Sequence, residues 1–141
     1  MKFSEFEAEQ WEQLKPFLDT VLLPVTGLEG TENPVQVVDT LEQLRDVMDW
    51  IEGPFTGRIV TYPAVQYGTR EAEQMKDILQ EWVGNLKQAG FTYVICVTAR
   101  QTDKQWQPSN ADLWIEANDG WTQEAVSKAI QALWFPPAEP N

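Results

Sequence analysis

The chain has 141 residues, 22 acidic and 10 basic, for a formal net charge of −12, with no histidine, one cysteine and seven tryptophans. Without histidine there is no Ser-His-Asp or Cys-His catalytic set, no imidazole proton relay and no histidine-bound zinc. One cysteine allows neither an internal disulfide nor a thiolate cluster, and a pI near 4.2 argues against holding nucleic acid or an anionic membrane by bulk charge.

The length suits a single domain over residues 1–135 with a flexible tail at 136–141. A hydrophobic content of 43% supports a true core. The longest apolar runs, Val21 to Val25 and Tyr93 to Val97, are too short to span a bilayer. Residues 1–15 mix acids with aromatics, unlike a signal peptide. Cys96, inside an apolar run, reads as a buried thiol of a reducing compartment, so a cytoplasmic location is expected.

In chain order, Ser4 and Glu7 have capping-box spacing for a first helix carrying Phe6, Trp11 and Leu14, which Pro16 ends or kinks. Val21 to Val25 reads as a strand despite Pro24, and Thr26 to Asn33 as a loop. Pro34 opens a second helix with the stripe Val37, Leu41, Leu44, Met48 and Ile51, stopped by Gly53-Pro54. Arg58 to Tyr62 is the next strand. Thr69 is placed to cap a third helix, whose stripe is Met75, Ile78, Leu79, Trp82, Leu86 and Ala89 before Gly90. Phe91 to Thr98 is a strand that is almost wholly apolar or β-branched. A polar loop from Arg100 to Ala111, a strand Leu113 to Ile115 and a helix capped by Thr122 follow, ended by Pro136-Pro137. Strands separated by helices and apolar on both sides predict an α/β fold: a three-layer α/β/α sandwich with a mostly parallel four-stranded sheet.

In such a sheet, ligands bind beyond the carboxyl ends of the strands. Those ends carry Thr26 and Glu29, Tyr67 and Arg70, Arg100 and Asp103, and Asn118 and Asp119. Two arginines on one edge can grip a carboxylate or phosphate bidentately, making Glu29, Tyr67, Arg70 and Arg100 the candidate ligand-binding residues. The plainer alternative is that each arginine pairs with a nearby acid. Glu29, Glu116 and Asp119 are the carboxylates available for a hard cation, though in so acidic a chain solvated surface is the ordinary reading. Cys96 lacks the open, electropositive setting of a nucleophile. Trp11, Trp82, Trp114 and Trp134 fall in apolar patterns and read as core. Trp50, Trp106 and Trp121 do not, and are candidate partner contacts.

Asp19 to Val25, Gly57 to Pro63, the helix 71–88 and Gly90-Phe91 resemble the YpiF-like family of uncharacterised proteins from spore-forming Gram-positive bacteria. That resemblance implies a cytosolic protein of unknown function. Leu22 to Val25 with Glu29, Val60 to Pro63 with Tyr67-Gly68, and Val94 to Val97 are also similar to landmarks of the creatininase-like amidohydrolases. Where that family places metal-binding histidines, this chain has Thr31 and Thr98-Ala99-Arg100, so the resemblance implies a shared scaffold without its metal chemistry.

Charge is uneven: residues 1–54 hold three basic and twelve acidic side chains, a net −9 of the −12. The expectation is a non-catalytic protein-binding or scaffold module without cofactor. Its surface would be the acidic N-terminal third, the 101–110 loop, or both, and its partner a basic protein. The alternatives are anion binding or metal-independent hydrolysis at the strand ends, and self-association through Trp106 or Trp121. Neither nucleic acid nor membrane insertion is expected.

Overall fold

The computed structural model describes residues 7–69, 71–100 and 104–136. Its elements are α1 (Ala8–Leu14), β1 (Thr20–Val25), α2 (Pro34–Glu52), β2 (Ile59–Thr61), α3 (Ala72–Gln88), β3 (Tyr93–Thr98), β4 (Leu113–Glu116) and α4 (Gln123–Trp134). The Ser4 cap and the end of the expected tail lie outside the described residues.

Local chemistry sets the helix starts. Asn33 and Gln36 form a reciprocal capping box, each side chain accepting from the other's backbone N–H at 2.9 Å, and Pro34 occupies the first turn. Thr122 caps α4 by accepting from the N–H of Ala125 at 3.1 Å. Thr69 behaves differently from expectation. Its hydroxyl accepts from Glu71 N–H at 3.3 Å, which forms a local turn and delays α3 until Ala72.

The four strands form one parallel sheet in the order β2-β1-β3-β4. Pro24 lies in interior strand β1, where a missing N–H would ordinarily break a ladder. The carbonyls of Leu22 and Pro24 accept from Tyr62 and Val65, so this side of Pro24 faces β2. Because β2 ends at Thr61, opposite Leu22, the imide nitrogen looks past the end of the ladder and no strand bond is lost.

Alternating side chains feed two buried clusters on opposite faces. Val21, Leu23, Val25, Val60, Val94, Cys96 and Trp114 pack against Met75, Leu79 and Val83 of α3, with Trp11 and Leu14 of α1 on the same side. Leu22, Ile59, Ile95, Val97 and Ile115 pack against Leu44, Val47 and Ile51 of α2 and Val126 and Ile130 of α4. Each such side chain contributes roughly 1.5–3 kcal/mol when fully buried. The crossover from β1 to β2 runs one way along the sheet, and that from β2 to β3 runs back across β1. Right-handed connections travelling in opposite directions place α2 and α3 on opposite faces, as observed.

Among the described residues no helix connects β3 to β4, so β4 needs other cover on the α3 face. The 104–111 segment provides it by burying Trp106 in the cluster that also holds Trp114. In α2, Leu41 was expected on the buried stripe but is exposed, and Val47 is buried instead. The packed face follows 44, 47 and 51, a row rotated away from Leu41.

Candidate functional site

The order in which strands are added reverses between parallel neighbours β1 and β3, so the crevice beyond Val25 and Thr98 is where a sheet of this order would bind a ligand. Gly27 adopts φ +83°, and a Cβ there would strike the Arg100 side chain and backbone. That close approach brings the β1 loop against Arg100, whose Nη1 lies 2.7 Å from Glu29 Oε1. The same guanidinium lies over Trp106, 4.5 Å from its ring centroid. Thr26, buried at the root of the loop, donates to the Gln66 carbonyl and accepts from Leu28 N–H at 3.2 Å. Beyond it, Glu32 accepts from Glu29 and Gly30 N–H, and these backbone bonds hold its carboxyl below the ordinary value.

Of the four candidate ligand-binding residues, Glu29 and Arg100 are brought together and engage each other. Tyr67 is 64% exposed and lines a separate groove described below. Arg70 lies outside the described residues; the other arginine, Arg100, is held by a glutamate and an indole.

Glu29, Glu116 and Asp119 do not converge: among the described residues, no group of three acids or thiols is placed to hold a metal ion. Glu116 is also not solvated surface. It is buried at the end of β4, where Oε1 accepts from Trp114 Nε1 and from Lys104 N–H, both at 3.0 Å. Lys104, with φ +65°, turns the loop so that its N–H reaches that carboxylate. Cys96 is fully buried, and burial, followed by the nearby Asp112 charge, pushes its thiol up to about 12. It is a core residue with no thiolate character at neutral pH.

The tryptophans sort differently from expectation. Trp106, a candidate partner contact, instead folds back onto its own domain and is only 2% exposed. Gly68 explains why: a side chain there would overlap the Trp106 ring and press on Met75, so glycine leaves the slot into which the indole packs. Trp50 and Trp121 are half-buried against the α2/α4 core. Trp82, expected in the core, is 42% exposed. It stands at the edge of the α3 stripe, beyond Met75, Leu79 and Val83.

With Trp82 comes a groove that periodicity did not reveal. Trp82 and Leu86 of α3 with Ala89 at its C-cap form one wall, and Tyr62, Val65 and Tyr67 of the loop after β2 form the other, of an open groove of about 650 Å³. A second hollow of about 480 Å³ continues past Tyr67 and Trp82 to Gln74, Ile78 and Glu81. Tyr62 packs edge-on against Phe91, which meets Trp11 of α1, so the groove rests on an aromatic chain reaching the N-terminal helix.

The acidic N-terminal third does not form one face, because α1 and α2 flank opposite sides of the sheet. On α2, Asp39, Glu42, Asp46 and Asp49 are all exposed, and their three- and four-residue steps align them on the outer face. Val35, at 78% exposure, and Val38 stand on the same outer face, with exposed Leu41 at its flank. Pro34, Val35, Val38 and Asp39 line a shallow hollow there.

Residues 9–132 match the family described as "Protein of unknown function (DUF2487)". The chain belongs to that family. Comparison with curated proteins finds no match, and comparison with solved structures finds none. No helix among the described residues of this DUF2487 chain is long and apolar enough to cross a membrane.

Proposed function

We propose that this DUF2487 protein is a non-catalytic protein-binding or scaffold module whose working surface is the outer face of α2, and that its partner is basic. The observation that carries this is the setting of exposed Val35 and Val38 among Asp39, Glu42, Asp46 and Asp49 on a helix whose other side is anchored in the core. The apolar side chains supply area to desolvate, while the acids steer a cationic surface and reject an anionic one. The strand-end crevice supports ligand binding less well. Its arginine is already held by Glu29 and stacked on Trp106, so an incoming anion would have to displace the carboxylate.

The test compares three proteins as bait in host extract. One is wild type. The second is Asp39→Asn, Glu42→Gln, Asp46→Asn and Asp49→Asn together. The third neutralises as many acids elsewhere, at Glu9, Glu12, Glu71 and Glu124. A partner held by the first and third, lost by the second and released by salt supports the reading. Equal loss from both variants, or retention by the α2 variant, rejects it.

A further inference from the structure

The α3 groove lies across the sheet from the α2 face and is a separate surface. Its two hollows meet at Tyr67 and Trp82 and run along α3 from Gln74 to Ala89. At 1.5 Å per residue that path is about 22 Å long, room for about four helical turns. The walls are mostly apolar and aromatic, and Glu81 is the one charged side chain among the described residues that line it. Beside the row Gln74, Ile78 and Trp82, the next row on α3 is Glu73, Asp77 and Glu81, all exposed and spaced by four residues. An aromatic channel thus runs parallel to a line of negative charge. Two bases lie on α3: Lys76, half-buried beside Glu73 and Asp77, offsets one charge of that row, and Lys87 is held by Asp112 at 3.1 Å.

We propose that this groove binds a basic amphipathic helix of a partner protein. Its apolar side chains, at positions i, i+3 or i+4, and i+7, would enter between Trp82 and the Tyr62–Tyr67 loop. Its lysines or arginines along one flank would lie over Glu73, Asp77 and Glu81. The pattern is the helix-in-groove mode, with the apolar row giving affinity and the charged row fixing orientation. A second copy of this chain fits poorly, since the exposed faces of its α1, α2 and α3 are mostly acidic and that of α4, where Lys128 pairs with Glu124 at 3.1 Å, is neutral.

The test uses a fluorescein-labelled 16-residue peptide with leucines at helical spacing and lysines on one flank, read by anisotropy. Two controls accompany it: the same composition with the leucine spacing scrambled, and glutamate in place of lysine. The helical lysine peptide is expected to bind at least tenfold more tightly than either control. Trp82→Ala or Tyr67→Ser should weaken it at least tenfold, with circular dichroism showing each variant folded. Glu73→Gln with Asp77→Asn and Glu81→Gln should weaken it and flatten its salt dependence. Neutralising the four acids of α2 should change nothing, so failure here and failure of the α2 reading are separable. Equal binding of the scrambled peptide, no binding of any peptide, or insensitivity to Trp82→Ala would overturn the proposal. A dimer seen by sedimentation and abolished by Trp82→Ala would also overturn it, assigning the groove to a second copy.

Discussion

Arg100 contacts Glu29 through Nη1 at 2.7 Å while the central carbon of the same guanidinium lies over the Trp106 ring, 4.5 Å from its centroid. A planar, delocalised cation serves both partners at once, and a lysine ammonium cannot. Arg100→Lys keeps the charge yet should lose about 1–2 kcal/mol, the size of a partly desolvated cation–π contact. Urea denaturation measures this, and unchanged stability would show that the stack contributes nothing.

Gly68 and Trp106 are coupled by space. Gly68→Ala should cost about 1–3 kcal/mol through overpacking against the indole. In a Trp106→Leu background, already destabilised by the smaller side chain, the added cost should shrink because the obstructing ring is gone. A double-mutant cycle reads the difference, and strict additivity would mean that the ring is not what excludes the methyl.

Asp19 predicts an acid limb of stability. Partial burial works to raise its carboxyl, but hydrogen bonds from Arg58 and Thr20 prevail and hold it below the ordinary 3.8. Arg58 Nε and Nη2 lie 2.9 and 3.0 Å from the two carboxylate oxygens, and the guanidinium sits 4.2 Å from the Trp134 ring centroid. A folded value lower than the unfolded one means the contribution is complete above 3.8 and disappears as pH falls through the folded value. Stability measured from about pH 6 to pH 2 should therefore fall more steeply in wild type than in Asp19→Asn. Parallel curves would remove Asp19 from the acid response.

Cys96 should report global unfolding. Its burial and its thiol at about 12 leave almost no accessible thiolate at neutral pH. Labelling by an aromatic disulfide should be negligible in the native protein and should rise with denaturant in step with fluorescence. Rapid labelling without denaturant would show that β3 opens locally.

Helices α2, α3 and α4 and strand β3 were legible because each carries a strong period or an unbroken β-branched run between turn signals. The tryptophans were not. Trp106 sits in a polar stretch, and its inward fold follows from the slot left by Gly68 and from cover that β4 draws from the 104–111 segment, neither visible in local pattern. Trp82 satisfies the spacing of the α3 stripe, yet spacing cannot tell the middle of a packed face from its margin, where the loop after β2 stops short. Glu29 and Arg100 were both marked at strand ends. The plainer alternative, an arginine paired with a nearby acid, describes Arg100; which acid it meets was not legible, because the meeting depends on a loop approach that Gly27 permits.

The placement of α2 and α3 on opposite faces limits how a single partner could engage both. Two helical layers, each about 10 Å across, and the sheet between them put the outer surfaces on the order of 25 Å apart. A flexible linker has an r.m.s. reach of roughly 25 Å at about 20 residues, and a path around the sheet edge demands more. A short contiguous segment therefore cannot be bivalent here, and avidity from one chain requires a tether long enough to dilute the effective concentration of its second end. Two independent chains face no such penalty, which makes the protein geometrically suited to holding different molecules back to back.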